Sequence, residues 1–334
     1  MTLLTDLAQF IRSQPDGCHQ VVSYYLEAIQ DHNDTLNAVS IPLRERALAT
    51  AQLRDQELRA GHDRGPLHGI PFGIKEVMDV GGVVTTAGCP GYAQRHGIPT
   101  QDAALVQRIE SAGAIPLAKT QTNDLAYGLD GLNAHYGDTH NPWDPSRISG
   151  GSSSGSAAAV CAGLMPIALG TDTGGSVRVP SAYTGIAGIR STFGQDTRGL
   201  VHLVPIFDTV GPMARSAWDV ALMQAVLTRD PLPSRRQTLA GIRLGVVADA
   251  GLSKLTPKVR TIYDASLASL QSVGSLLEAI QLPPFADGTA FQVFTVLGGV
   301  QALATHRAPV EDPDFEMDPR TRQRLERGTT FKGV

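Results

Sequence analysis

Residues 149–194 read SGGSSSGSAAAVCAGLMPIALGTDTGGSVRVPSAYTGIAGIRSTFG. Two Gly/Ser clusters, GGSSSGS at 150–156 and TGGS at 173–176, bracket an apolar segment rich in small residues at 157–169. Glycine weakens a core element but serves where backbone must turn sharply or approach a ligand. Two such turns around one apolar segment put two backbone corners on one pocket. Serines followed by good helix formers at 156–159 predict a helix start whose free N–H groups favour negative charge. The second corner, Thr173, Gly174, Gly175 and Ser176, offers successive N–H groups and one hydroxyl, as an oxyanion site requires. Composition alone would make this tract a linker, so order and spacing must decide. A phosphate loop does not fit, because G-x-x-x-x-G-K-[ST] is absent and Lys75 lies far upstream. The nucleophile elbow G-x-S-x-G is absent too, since the chain around Ser176 reads G-G-S-V-R.

GGSSSGSAAAV followed by GTDTGGSVRVP resembles the signature of the amidase signature family, serine hydrolases that cleave carboxamide bonds. The resemblance runs from about Ala28 to Trp218 and includes KTQTNDLAYG at 119–128 and NPWDPSRISGG at 141–151. It implies a Ser–Ser–Lys triad in which one serine follows a cis peptide bond. HGIPFGIKEVMDVGG supplies the lysine, Lys75, after the apolar run 70–74. Ser152, first after the Gly pair, takes the place of the cis serine, and Ser176 that of the nucleophile. The same resemblance makes Thr173–Ser176 the oxyanion hole, gives Asp172 a part in holding this loop, and brings the backbone of Ala126, Tyr127 and Gly128 to the substrate. The implied fold is α/β, a mixed β-sheet core flanked by helices on both faces, with residues 1–334 one domain and 65–220 its catalytic core.

Composition describes an ordinary soluble globular protein: 42% hydrophobic and 18% charged residues provide ample core. A net charge of −4 and the lack of a basic run argue against a nucleic-acid partner. Residues 1–14 lack the apolar run of a secretory signal. The apolar stretch 157–169 is shorter than the roughly 20 residues of a bilayer span and contains Pro166. Three scattered cysteines, Cys18, Cys89 and Cys161, fit reduced thiols in the cytoplasm. No membrane association is expected.

Apolar spacing predicts helices at 3–12, 19–32, 43–60, 103–112, 216–227, 259–272 and 291–305. Short strands are predicted at 37–41, 68–75, 114–118 and 243–247, with 275–279 returning to the sheet. Alternation of helix and short apolar strand indicates an α/β layer fold. A helical turn is expected at 123–128 and an irregular segment at 129–148, near the site because long loops are often functional. The acidic patch 311–318 before the basic 320–327 reads as a solvated helix start.

Chemically, a serine hydroxyl needs an adjacent base, and a lysine can supply one only where burial removes its proton. The expected relay runs from Ser176 through Ser152 to Lys75 and passes through an acyl-enzyme. Arg178 is read either as a surface arginine or as a residue holding the loop or binding a substrate carboxylate. Of the histidines, His68, His135, His140 and His202 lie in no motif; a Ser–His–Asp set is not excluded by spacing. His135, His140 and Asp138 lack a recognised ligand pattern, so neither metal nor cofactor is expected.

Two departures stand out. GIRST at 188–192 has Ser191 where the family usually has proline, and family members usually continue beyond residue 334 with further sheet. That predicts a C-terminally truncated chain whose strands near 243–247 and 275–279 lack neighbours, leaving it aggregation-prone or a homodimer. Three functions remain open: an amidase of small linear amides, an amidotransferase A-type subunit delivering ammonia to a partner, and an inactive remnant. KTQTNDLAYG departs from KTNMDEFAMG, usual in the second.

Overall fold

The spacing at the N-terminus forms α1 (Leu4–Ser13) and α2 (Gly17–Leu36) in a computed structural model that describes residues 4–232, 234, 238–247, 255–282 and 288–331. Residue 3 of the first expected helix lies outside the described residues. Asp16, the N-cap of α2, makes no side-chain cap bond. Asp55 replaces it from the third helix: its Oδ1 accepts the Cys18 amide at 2.8 Å and its Oδ2 the His19 amide at 3.1 Å. A carboxylate there satisfies two orphan donors and opposes the positive end of the helix dipole.

The chain continues through β1 (Val39–Pro42), α3 (Arg44–Arg59), β2 (Pro71–Lys75), α4 (Pro90–His96), α5 (Ala104–Ser111) and β3 (Ile115–Thr120). A hairpin, β4 (His140–Asn141) and β5 (Asp144–Ile148), gives order to the segment expected to be irregular. Then come α6 (Ser154–Ala162), β6 (Ile167–Asp172), α7 (Arg178–Thr184), β7 (Ala187–Gly188), β8 (Thr209–Ala214) and α8 (Ala217–Thr228). The apolar stretch 157–169 is therefore two elements, most of α6 and the start of β6. Gly163 in the left-handed region (φ 80°) ends the helix, where a side chain would be strained.

Six strands form one sheet in the order β1-β3-β2-β6-β8-β7. The central neighbours β3, β2 and β6 are parallel, and both flanks are antiparallel. Every residue of β2, β3, β6 and β8 is buried, as expected of strands covered on both faces. This is the mixed sheet with flanking helices that the resemblance implied. Parallel alignment also brings the C-terminal ends of β3, β2 and β6 to one edge of the sheet: Lys75 pairs with Thr120, and Ile74 with Leu169.

Two units pack separately: Met1–Leu232 with Gln301–Val334, and Pro233–Val300. In the second, β9 (Arg243–Val247) and β10 (Leu276–Ile280) pair in parallel across α9 (Pro257–Ser272). The strand expected to return to the main sheet instead closes this two-stranded sheet. A crossover helix of this length suits a local parallel pair. Val259 and Ile262 of α9 and Leu276 of β10 are exposed. The last predicted helix forms as α10 (Thr289–Thr305). The acidic patch does end in a helix start, with Asp318 capping the segment Pro319–Glu326 through the Arg320 amide. That helix is not wholly solvated, since Thr321 and Leu325 are buried. No helix among the described residues is long and apolar enough to cross a membrane.

Helix α6 rests on the sheet through a glycine. A Cβ on Gly155 would stand 2.2 Å from the Ala38 carbonyl oxygen and 2.3 Å from the Gln121 nitrogen, both backbone atoms. Gly155→Ala is expected to destabilise the chain by about 1–3 kcal/mol through overpacking. A lower urea midpoint at unchanged slope would show it; an unchanged midpoint would mean that α6 can lift without penalty.

Candidate active site

Lys75 ends β2 and has no exposed surface. Its Nζ donates to Ser152 Oγ and to Thr171 Oγ1, each at 2.7 Å. Burial pulls its pKa down to about 7, against the opposing charges of Asp208 and Asp172. Lys119, near the end of β3 and also wholly buried, has a different setting. Glu76 Oε1 lies 3.3 Å from its Nζ, which also donates to Val84 O and Thr85 Oγ1 at 3.0 Å. Lys119 thus has a carboxylate against it, whereas Lys75 touches hydroxyls.

Ser152 lies on the corner leading into α6, and the Gly151–Ser152 peptide bond is cis. The helix begins at Ser154, ahead of the expected 156–159, because the serines satisfy backbone groups around the corner. Ser153 Oγ accepts the Thr171 amide at 3.1 Å and donates to its carbonyl at 3.2 Å. Ser156 Oγ donates to Leu169 O at 2.9 Å and shares a 2.7 Å hydrogen bond with Thr120 Oγ1. These hydroxyls fasten α6 to β3 and β6, so the corner is buried, not a mobile linker.

The TGGS corner follows β6 and is organised by Asp172. Its Oδ1 accepts the Gly175 amide at 2.8 Å, and its Oδ2 accepts the amides of Val177 and Arg178 at 3.2 and 3.4 Å. Arg178 closes a two-pronged ion pair, with Nε and Nη2 each 2.9 Å from the carboxylate. Burial pushes this carboxyl up, but Arg178 and the amides more than offset it and hold the pKa below the usual range. Arg190 adds a cation at 3.6 Å. Arg178 therefore serves the loop, and its guanidinium is occupied by Asp172. Ser176 is 4% exposed, and its carbonyl accepts the Ser153 amide at 3.1 Å, which joins the two corners. Gly175, expected among the oxyanion donors, has its N–H directed to Asp172. For Thr173, Gly174 and Ser176 no amide acceptor is found among the described residues.

Ala126 ends a turn of 3-10 helix, Asp124–Ala126, in which Leu125 and Ala126 have φ of 48° and 58°, and Tyr127 and Gly128 follow it. Asn123 Oδ1 accepts the Gly131 amide at 3.2 Å and would lie 2.1 Å from a Cβ on Gly151. Leu129 sits 3.9 Å from where a Gly175 Cβ would be. The loop therefore touches both corners. The C-terminal segment braces it: Asp318 donates its amide to Asp124 Oδ2 at 2.8 Å, and Arg324 donates to Tyr127 O. Burial raises the Asp124 pKa to about 7.

Thr171, Ser153, Asn123, Asp208 and Arg324 are additions of the structure to the residues that sequence reasoning selects. Thr171 and Ser153 abut motif residues, so adjacency is the signal that could have found them. Asp208 and Arg324 are remote in the chain and carry none. His135 Nδ1 lies 3.7 Å from Glu316, and His140 Nδ1 lies 3.1 Å from Pro145 O.

Asp172→Asn removes the charge that gathers these donors. Hydrogen bonds to a charged group contribute about 1.5–3 kcal/mol, and half-exposed Arg178 can turn to water, so a loss of about 2 kcal/mol is expected. Because the folded pKa is depressed, this stabilisation is complete above the unfolded carboxyl's pKa and fades as pH falls through the folded value. The gap between wild type and variant in urea unfolding should narrow below about pH 4; a gap that widens there would contradict this account.

Comparison with known proteins gives the wider setting. A model of the Amidase family matches residues 20–326. The A-type subunit of glutamyl-tRNA(Gln) amidotransferase from Thermosynechococcus vestitus is 34% identical over 303 residues, covering 86% of this chain. The chain spans 62% of that relative's length. Among solved structures, a chain of a vestigial complex bearing on the origins of an s-triazine catabolic enzyme superposes with a TM-score of 0.89 at 30% identity. The match covers 99% of this chain and 74% of that one. An amidase superposes with a TM-score of 0.87 at 29% identity, with the same coverage. With the family model covering most of its length and these relatives beside it, the chain belongs to the amidase family.

Proposed function

We propose that this chain hydrolyses the C–N bond of a small carboxamide through a Ser176–Ser152–Lys75 relay, within residues 65–220. The observation that carries the reading is the 2.7 Å contact between Lys75 Nζ and Ser152 Oγ in a setting that favours the neutral amine. A neutral amine has one lone pair and two N–H groups. It can accept the Ser152 proton while still donating to Thr171. Ser152 in turn takes the proton of Ser176, whose oxygen attacks the amide carbon. The oxyanion that forms is met by amides of Thr173, Gly174 and Ser176; removing one such donor typically costs about 2.7–4 kcal/mol. The relay then returns its proton to the leaving amine, the C–N bond breaks, and water hydrolyses the acyl ester of Ser176. The three cysteines are all free, in keeping with a cytoplasmic setting.

A second reading, an amidotransferase A-type subunit, is favoured by the sequence relatives, one of which, from Ralstonia nicotianae, is 38% identical over 310 residues. In that case ammonia would pass to a partner protein. Ammonia release from a panel of small amides by the chain alone supports the amidase; release only after a co-purifying partner is added supports the amidotransferase. A fluorophosphonate should label the chain once, at Ser176, and Ser176→Ala should abolish the label. Absence of both label and ammonia would identify an inactive remnant.

The base also sets the pH dependence. Because the Lys75 pKa is lowered, its active neutral form accumulates as pH rises, and kcat/KM should climb through an acid limb near pH 7. Lys75→Ala should lose at least about a hundredfold at pH 7, with Lys75→His recovering part of it. A pH profile flat from about 5 to 9 would remove Lys75 from the role of base.

A further inference from the structure

Asp208 lies one residue before β8 and takes no part in the relay. It is 5% exposed, and its contacts converge from two segments. Oδ1 accepts the hydroxyl of Thr173, first residue of the TGGS corner. Oδ2 accepts the amides of Leu203 and Val204 at 2.9 and 3.1 Å and faces His202 Nδ1 at 3.0 Å. His202 Nε2 is in turn 3.1 Å from Thr197 Oγ1. One carboxylate therefore ties the 202–204 loop to Thr173, whose amide has no acceptor among the described residues. Fixing that hydroxyl limits rotation about the Thr173 backbone and so fixes the direction of its N–H.

Resting on the reading of Ser176 as nucleophile, we propose that Asp208 is a positioning residue that aims the oxyanion donors through Thr173. The groups around it support this role. Asp208 and Asp172 are the two negative charges acting on Lys75, with Asp208 the larger. Asp172 is paired with Arg178 and has Arg190 nearby, whereas Asp208 bonds amides, a hydroxyl and an imidazole. Arg190 also reaches this side, donating to Phe207 O at 2.8 Å. His306 is the other titratable group acting here; burial pushes its pKa down to about 4, so it is neutral across the working range. Asp208 thus ties the oxyanion corner to the 202–204 loop through one side chain.

Two substitutions separate the charge from the hydrogen bond. Asp208→Asn keeps an acceptor for Thr173 but removes the charge, so the Lys75 proton leaves more readily. The acid limb of kcat/KM should move to lower pH by about 1 unit. Thr173→Val removes the hydrogen bond but not the charge. It should lower kcat about tenfold with KM and the limb unchanged, and Thr173→Ser, which keeps the hydroxyl, should recover at least about fivefold over it. Fluorophosphonate labelling rates at Ser176 give a parallel readout. If wild type labels at Ser176 and Thr173→Val labels as fast, or if Thr173→Ser recovers nothing over Thr173→Val, the proposal fails while the nucleophile assignment stands. If wild type does not label at Ser176, both fail. Should Asp208→Asn not fold, the Thr173 pair decides the positioning role alone.

Discussion

An ammonium group stripped of water is the constraint around which the site is built. A buried charge is unstable unless something compensates it, and Lys75 is given two hydroxyls where Lys119, one strand away, is given Glu76. The ion pair beside Lys119 opposes the pull of desolvation, whereas Lys75 has no carboxylate in contact among the described residues. Two lysines at the ends of adjacent parallel strands are thus equally buried but differently partnered. The sheet makes this possible: β2 is flanked on both sides by fully buried strands, so its last residue is sealed from solvent.

The second requirement is that the opposing corner stay still. Asp172 achieves this with one carboxylate on three backbone amides and Arg178. The arrangement is a small polar core inside an apolar one, with its acceptors largely satisfied. It also explains why Arg178 can be half-exposed and still structural: only the side of the guanidinium facing Asp172 matters. Ser153, which joins Thr171 on one side and the Ser176 carbonyl on the other, makes the two corners a single body.

Much of this is legible in the chain. The Gly/Ser clusters, the apolar run before Lys75 and the spacing of Ser152 and Ser176 are local patterns, and local patterns survive in sequence. Helices α1, α2, α3, α5, α8, α9 and α10 are readable for the same reason, through apolar residues at helical spacing. The seven-residue helices α4 and α7 are too short to display that period. What else escapes depends on contacts between distant segments. β8 reads TVGPMA, with a glycine and a proline that disguise a buried strand, and β6 is hidden in an apolar run shared with α6. Whether 275–279 joins the main sheet or pairs with 243–247 cannot be read from periodicity, which is blind to the choice of neighbour. Asp208 and Arg324 belong to the same class, as their partners lie far away along the chain.

The glycines that let the layers touch have a consequence for how such a site diversifies. Gly151 lies against Asn123, and Gly155 against the backbone at Ala38 and Gln121, closer than any side chain permits. The contact between these layers is consequently closed to gradual change, because the smallest possible step, one methyl group, already collides there. Variation has to enter at exposed positions such as Leu129 and Tyr183, where a substitution meets solvent instead of backbone. A lineage built on this frame would keep its chemistry constant and explore new substrates from the outside inwards.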